Sequence, residues 1–342
     1  SAVDQMYGTY PEVGGSVTDD PLLVYITDEN DQQYGPSYYF SQLENLDTGT
    51  ATIDPPVENP PLVVGIAHDE SNEDYSPSDL SLREAIQLAN QTAGPDTITF
   101  APGLVGSLIT LAYGELLITD DLTISGLGAD QLTISGNYAS RIFHVDNSSP
   151  TTINVTIRDL SLINGQGSSY PYGGAVYNQE TLAVDRCTLA GNWAVQGGAI
   201  RNDGALTITD STLQDNQALT YGGGIFNTNS LTVTNSTLAH NSSNTVRKSE
   251  QDMPWGGGGG IYSDGVATVT GSTLAHNATR GSGGGIYNSG TLTVTDSTVD
   301  DNAADWGGGI YSDQHSTLTV TSSTLENNSA RTVNGGAIFS DG

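Results

Sequence analysis

Apolar and polar positions alternate along most of this chain, in bursts of only a few residues. Leu182-Ala183-Val184, Leu206-Thr207-Ile208, Leu231-Thr232-Val233, Ala267-Thr268-Val269, Leu292-Thr293-Val294 and Leu318-Thr319-Val320 each put two apolar side chains on one side and a small residue on the other. A period of two predicts a strand with one buried face. Gly, Asn, Asp and Ser, the turn formers, follow each burst. The bursts also repeat. A Gly-Gly-small-aliphatic motif starts at Gly173, Gly197, Gly222, Gly258, Gly283, Gly307 and Gly335, in steps of 24, 25, 36, 25, 24 and 28 residues.

A repeat of this length is shorter than a strand-helix-strand unit, which needs about 30 residues or more. It fits one coil of two or three short strands. Coils that stack at roughly 4.8 Å bring equivalent residues into columns. Parallel crossovers are right-handed in nearly all known cases. The predicted fold is therefore all-β, a single-stranded right-handed parallel β-helix, with roughly ten coils and a length on the order of 45–50 Å. In each repeat an apolar residue is followed three places on by Asn. Asn192, Asn216, Asn241, Asn277, Asn302 and Asn328, with Asn164 in the coil before them, are expected to form a buried structural ladder. Asn also tolerates the left-handed backbone expected at such a corner.

Strand signals continue upstream, less regularly, from Thr97-Ile98-Thr99-Phe100 to Ile153-Asn154-Val155-Thr156-Ile157. We assign 97–342 to the β-helix, with regular repeats from 173. Residues 62–96 read as an N-terminal cap holding an amphipathic helix at 81–91. Ser81-Leu82-Arg83-Glu84 is a capping box, and Leu82, Ala85, Ile86 and Ala89 fall on one face. Such a helix would cover the open edge of a solenoid. Residues 1–61 differ: they carry Tyr7, Tyr10, Tyr25, Tyr34, Tyr38 and Tyr39, and the prolines Pro55, Pro56, Pro60 and Pro61. They read as an acidic Tyr/Pro-rich arm or small β module with a stiff linker.

Charge narrows the partners. The chain has 39 Asp plus Glu against 9 Lys plus Arg, a formal net charge of −30. Nucleic acid and anionic membranes both demand the opposite sign, so neither is an expected partner, and no run of apolar residues is long enough for membrane insertion. The balance suits divalent cations, high salt or a surface kept soluble by repulsion. Cys187 is the single cysteine and sits where other repeats carry Ser, which points to a small buried residue. Beginning on Ser1, the chain reads as a mature secreted product, expected outside the cell or at its surface.

Ser81-Leu82-Arg83-Glu84-Ala85-Ile86, Asn90, Asp96-Thr97-Ile98-Thr99-Phe100, Leu132-Thr133-Ile134-Ser135-Gly136 and Arg141-Ile142-Phe143 resemble the "CSLREA" segment that opens many bacterial and archaeal surface β-helix proteins, with Leu80 in place of the usual Cys. The Gly-Gly-Ala-Ile and apolar-x-x-Asn repeats are similar to those of chlamydial polymorphic outer-membrane proteins, with Leu or Val where that family has Phe. The resemblance covers roughly 62–342. It implies an extracellular β-helix of the kind found in adhesins and surface coats, and little about activity.

Three sets of residues are candidates for more than structure. Tyr177, Phe226, Tyr262, Tyr287 and Tyr311, with Arg201 and Phe339 in register, predict an aromatic column beside the Gly-Gly motif, a structural stack that could also bind sugar rings. A polysaccharide lyase would instead need clustered carboxylates with Arg or Lys, and a hydrolase two opposed carboxylates about 5–10 Å apart. No catalytic residue is therefore assigned. Asp215, His240, His276 and Asp301 precede four successive ladder residues. They are weak metal candidates, a solvated face being the simpler reading. No cofactor is required, although acidic turns at 28–31 and 69–74 could hold Ca²⁺. The insertion between Asn244 and Trp255 carries Arg247 and Lys248 and could dock an acidic neighbour or be a neutral length change.

The expected function is that of an extracellular structural or adhesive surface protein. Its first expected partner is itself: Leu22, Val24 and Ile26 of one copy would complete the coil bearing Ile338 and Phe339 of the next, giving a head-to-tail filament. Surface glycans and proteins of a host or neighbouring cell are further candidate partners. The alternative is a carbohydrate-binding or polysaccharide-degrading β-helix.

Overall fold

The computed structural model describes residues 61–167, 172–244, 257–332 and 335–341. The arm residues Leu22, Val24 and Ile26, the acidic turn at 28–31 and the inserted residues 245–256 lie outside the described residues. No helix among the described residues is long and apolar enough to cross a membrane.

The described residues fold as an all-β, right-handed parallel solenoid of about nine turns. Its strands fall into four parallel sheets of ten, nine, nine and six strands. The repeats predicted two or three strands per coil. From Trp193 onward there are four: Ile200–Asn202, Ala205–Thr209, Thr212–Gln214 and Gln217–Tyr221 make one complete circuit. The fourth was hidden because its segments carry little alternation, as in Ser242–Ser243 or Ala303–Ala304.

Each coil sends aliphatic side chains inward from three sides. Ile200, Ile225, Ile261, Ile286 and Ile310 form one fully buried column, Leu189, Leu213, Leu238, Leu274 and Val299 a second, and Val184, Ile208, Val233, Val269 and Val294 a third. Stacking like shapes in register keeps neighbouring core side chains in contact, as close packing requires.

The corners are held by side chains. Asn216 donates from Nδ2 to Oδ1 of Asn241 at 2.9 Å and to the Leu189 carbonyl at 2.9 Å, and its backbone N–H donates to the same Oδ1 at 3.1 Å. The pattern repeats from Asn192 to Asn328. Asn164 is not in this ladder. The N–H of Gly165 makes the equivalent bond to Asn192 Oδ1, at 2.8 Å, so the ladder begins one residue later than expected. Ser161-Leu162-Ile163 offers two neighbouring apolar residues, and the buried one is Leu162, three places before Gly165. The left-handed corner residue is also not the ladder Asn. It is the residue before it: Asn164, Asp215, His240, His276, Asp301 and Asn327 have φ between 50° and 57°.

Two further ladders escaped the sequence reading. Ser211, Ser236, Ser272, Ser297 and Ser323 each accept, through Oγ, the backbone N–H of Cys187, Ser211, Ser236, Ser272 and Ser297 respectively, at 3.0–3.1 Å. Asn178, Asn202, Asn227 and Ser263 form the other, linked at 2.7, 2.7 and 3.0 Å. The fourth corner belongs to glycine. The first Gly of each pair has φ between 57° and 73°, and at the second, as at Gly259, a methyl group would overlap the carbonyl oxygen of the next coil.

The helix is Leu82–Ala89, shorter at both ends than the 81–91 expected. Its capping box is complete, with the Glu84 N–H donating to Ser81 Oγ and the Ser81 N–H to Glu84 Oε2. Glu84 also accepts the N–H groups of Asn72 and Glu73. Asp69, one of the acidic candidates for Ca²⁺, meets Arg83 through both oxygens and accepts the N–H groups of Ala112 and Tyr113. Arg83 then donates to the carbonyls of Gly114 and Glu115. Asn90 bridges Leu117 and Thr119. The motif residues thus staple the helix to the first coils. Strand Leu62–Val64 pairs in parallel with 98–100, so the solenoid begins inside the segment assigned to the cap.

Asn277→Leu should cost about 3 kcal/mol, because it strands the Asn241 N–H and the Leu238 carbonyl in the interior. Urea denaturation measures this, and a loss below about 0.5 kcal/mol, the range of an ordinary surface change, would contradict the ladder's role.

Candidate functional site

The strand after each Gly-Gly pair points its first and third residues inward and its second outward, and parallel register stacks the second residues. Tyr177 pairs with Arg201, Arg201 with Phe226, Phe226 with Tyr262, Tyr262 with Tyr287, Tyr287 with Tyr311 and Tyr311 with Phe339. From Phe226 to Phe339 the ring centroids are 4.7–5.4 Å apart, with planes within 15° of parallel. Arg201 fills its place in the row as a flat cation, 4.2 Å from the centre of the Phe226 ring and 4.7 Å from that of Tyr172. The row extends further back than the sequence indicated: His144 stacks on Tyr177 at 5.1 Å. Tyr172, Tyr221 and Trp306 flank it, each immediately before a Gly pair, which is the signal that could have found them.

This geometry decides what the column can do. Each interior ring is covered on both faces by its neighbours, and the outer edge carries the phenol oxygens. Tyr177 donates to Asp203 at 2.9 Å and Tyr287 to Asp313 at 3.4 Å. Burial and the nearby carboxylates push the hydroxyls of Tyr177 and Tyr311 up to about 12. Tyr262 and Tyr287 move the same way for the same reasons. Burial also raises Asp264, partly offset by its hydrogen bond to Tyr262.

His240 and His276, exposed on another corner, stack at 4.8 Å, and His276 Nδ1 lies 2.9 Å from Asp301 Oδ2. Asp215, His240, His276 and Asp301 occupy successive coils of one column. Among the described residues, no three of His, Cys, Asp and Glu converge where a metal ion could sit. Cys187 is buried, and burial pushes its thiol up to about 12.

A third feature lies on the first coils, where the sequence reading placed no site. Tyr113, Gly114, Glu115, Ala139, Ser140, Arg141, Gln166 and Gly167 line a cleft of about 350 Å³. Arg141 is 3% exposed; it donates to Glu115 at 2.8 Å and to the carbonyls of Tyr172 and Gly173. His144 Nδ1 stands 3.4 Å from the other Glu115 oxygen. Burial by itself would raise the Glu115 carboxyl, but the His144 hydrogen bond and the Arg141 and His144 charges outweigh it and hold the group below its ordinary value. The cleft's wall therefore carries a compensated ion pair.

Comparison with known proteins agrees with the architecture. Residues 176–342 match the family model described as "Right handed beta helix region". A right-handed β-helix repeat region is thus present in the chain. No curated protein matches the chain. Among solved structures, the A-module of the Azotobacter vinelandii mannuronan C-5 epimerase AlgE4 is similar, with 14% identity, 76% of this chain and 96% of that chain covered, and a TM-score of 0.36. Nothing about activity transfers at that level of likeness.

The tyrosine column makes stability fall in alkali. A raised phenol favours the protonated form in the folded state, so its contribution is complete below pH about 10, the unfolded value, and is lost as pH rises toward 12. The urea midpoint should hold level up to pH about 10 and fall steeply beyond it. Phenolate absorbance should show a late-titrating set that ionises with unfolding, and complete titration near pH 10 in the folded protein would contradict the buried stack.

Proposed function

We propose that this chain is an extracellular structural and adhesive surface protein, a stiff spacer that carries binding features on its coils. One observation carries the reading. The repeated Asn, Ser and aromatic side chains are engaged coil to coil, in ladders at 2.7–3.1 Å and a ring stack at 4.7–5.4 Å, and so act as structure. The likeness of the SLREA segment to surface β-helix proteins supports the same reading. So does the strongly acidic composition, which keeps an exposed repeat surface soluble.

The alternative, a lectin or polysaccharide enzyme working on the aromatic column, fits less well. Sugar rings stack on aromatic faces, and here the neighbouring rings already cover those faces.

Head-to-tail assembly belongs to the same proposal. Leu22, Val24 and Ile26 of one copy would pair with the strand that carries Ile338 and Phe339 of the next. Sedimentation of the whole chain and of the chain lacking residues 1–61 tests the idea. Concentration-dependent assembly that disappears with the arm is expected. A monomer at high concentration, or unchanged assembly without the arm, would overturn it.

A further inference from the structure

We infer that the cleft on the first coils is a binding site for one residue of a neutral sugar. This rests on the adhesive half of the proposed function, for which it supplies a ligand class and a place. Three observations lead to it.

The first is the cleft's construction. Its volume of about 350 Å³ falls at the small end of the usual range for small-molecule sites, about 300–1,000 Å³. Its floor is fixed rather than loose. The Asp69–Arg83 pair grips the turn at 112–115 by four hydrogen bonds, two to N–H groups and two to carbonyls. Arg141, held by two backbone carbonyls of a later coil, fixes Glu115 from the other side. A preformed site loses less entropy on binding.

The second is what remains unused. Among the described residues, the side chains of Tyr113 and Gln166 have no hydrogen-bond partner, and Tyr113 is 69% exposed. Ser140 Oγ is shut away from solvent and likewise has none. A buried hydroxyl without a partner costs stability and calls for an explanation. Ser140 belongs to the lining of the cleft, so a ligand hydroxyl held there would supply the partner its own hydroxyl lacks. An aromatic face, an amide and a hydroxyl around one small cavity match the face and edges of a pyranose ring.

The third is charge. Glu115 is held ionised by its pairing with Arg141, so the wall presents no unpaired carboxylate to hold a cation. A chain of net charge −30 also repels anions. Neutral sugars are favoured over uronates and over cations.

The test is titration of the full chain with glucose, galactose, mannose and N-acetylglucosamine, with galacturonate alongside, followed by ligand-observed NMR. At least one neutral sugar should bind with a dissociation constant of about 1 mM, and galacturonate at least about tenfold more weakly. Tyr113→Ala and Gln166→Ala should each weaken binding about tenfold, while Tyr287→Ala on the column should leave it unchanged. Ser140→Ala should weaken binding and yet raise the urea midpoint, a pairing that a purely structural serine would not give. The inference is overturned if no neutral sugar binds at tens of millimolar, if galacturonate binds as tightly, or if Tyr113→Ala and Gln166→Ala bind as the parent does. Sedimentation reports separately on assembly, so loss of the sugar site leaves the scaffold reading standing, and the reverse also holds.

Discussion

Everything in this fold depends on the corner, where a backbone N–H of one coil must find an oxygen in the next. Strands are satisfied by their ladders, but the turns between them are buried on the stacking faces and cannot reach water. The solution is the same at three corners. A side-chain oxygen of Asn or Ser on the next coil accepts the N–H, or an Asn amide spans the gap. At two of these corners, a left-handed residue just before the ladder position turns the chain. Such a bond contributes only about 1 kcal/mol net when made, but leaving its partners unpaired in the interior costs more, so the arrangement is enforced coil after coil.

That constraint explains where the chain tolerates variation. The long step of 36 residues places its extra length between Asn244 and Gly257, after the fourth strand and before the glycine corner. On either side of it the Asn241–Asn277 rung and the pairing of Ile225 with Ile261 stay in register. The glycine corner is the one without a side-chain ladder, so added residues can leave there without breaking a rung. The cleft lies on coils that precede the regular repeats, where Arg83 and Arg141 do the work that ladders do later.

The legible parts of the sequence were those with a period. Alternation gave the strands and their buried faces, and the recurring Asn gave one ladder. The Ser ladder was written as plainly, in Asp210-Ser211-Thr212, Asn235-Ser236-Thr237 and Asp296-Ser297-Thr298, but serine is so common in turns that it drew no attention. The third ladder mixes Asn and Ser, which hides a common acceptor role behind two residue types. Asn164 shows the opposite error: the residue type was right, but a strand register slips by one wherever two apolar residues adjoin. Glu115, Arg141 and Gln166 carry no periodic mark. Only the coil pitch brings them together, so no spacing rule could have found the cleft.

In-register stacking also limits how charge is placed at the corners. A charged residue repeated in a column faces its own copy about 4.8 Å away, and every further coil repeats the repulsion. The left-handed corner columns avoid this. One runs Asp159, Arg186, Asp210, Asn235, Gly271, Asp296, Ser322, and the other Asn164, Gly191, Asp215, His240, His276, Asp301, Asn327. Neither puts two acids on consecutive coils, and Asp159 is bridged by Arg186 at 2.8 Å. Asp, Asn, Gly and Ser all suit the corner backbone, so the alternation among them is set by charge rather than by conformation. Long cations suit that backbone less well, and Arg186 is the single Lys or Arg in either column. A solenoid built on such corners can carry acids, if spaced, more readily than it can carry bases. In these two columns five acids stand against one Lys or Arg, a balance set by the same corners that hold the coils together.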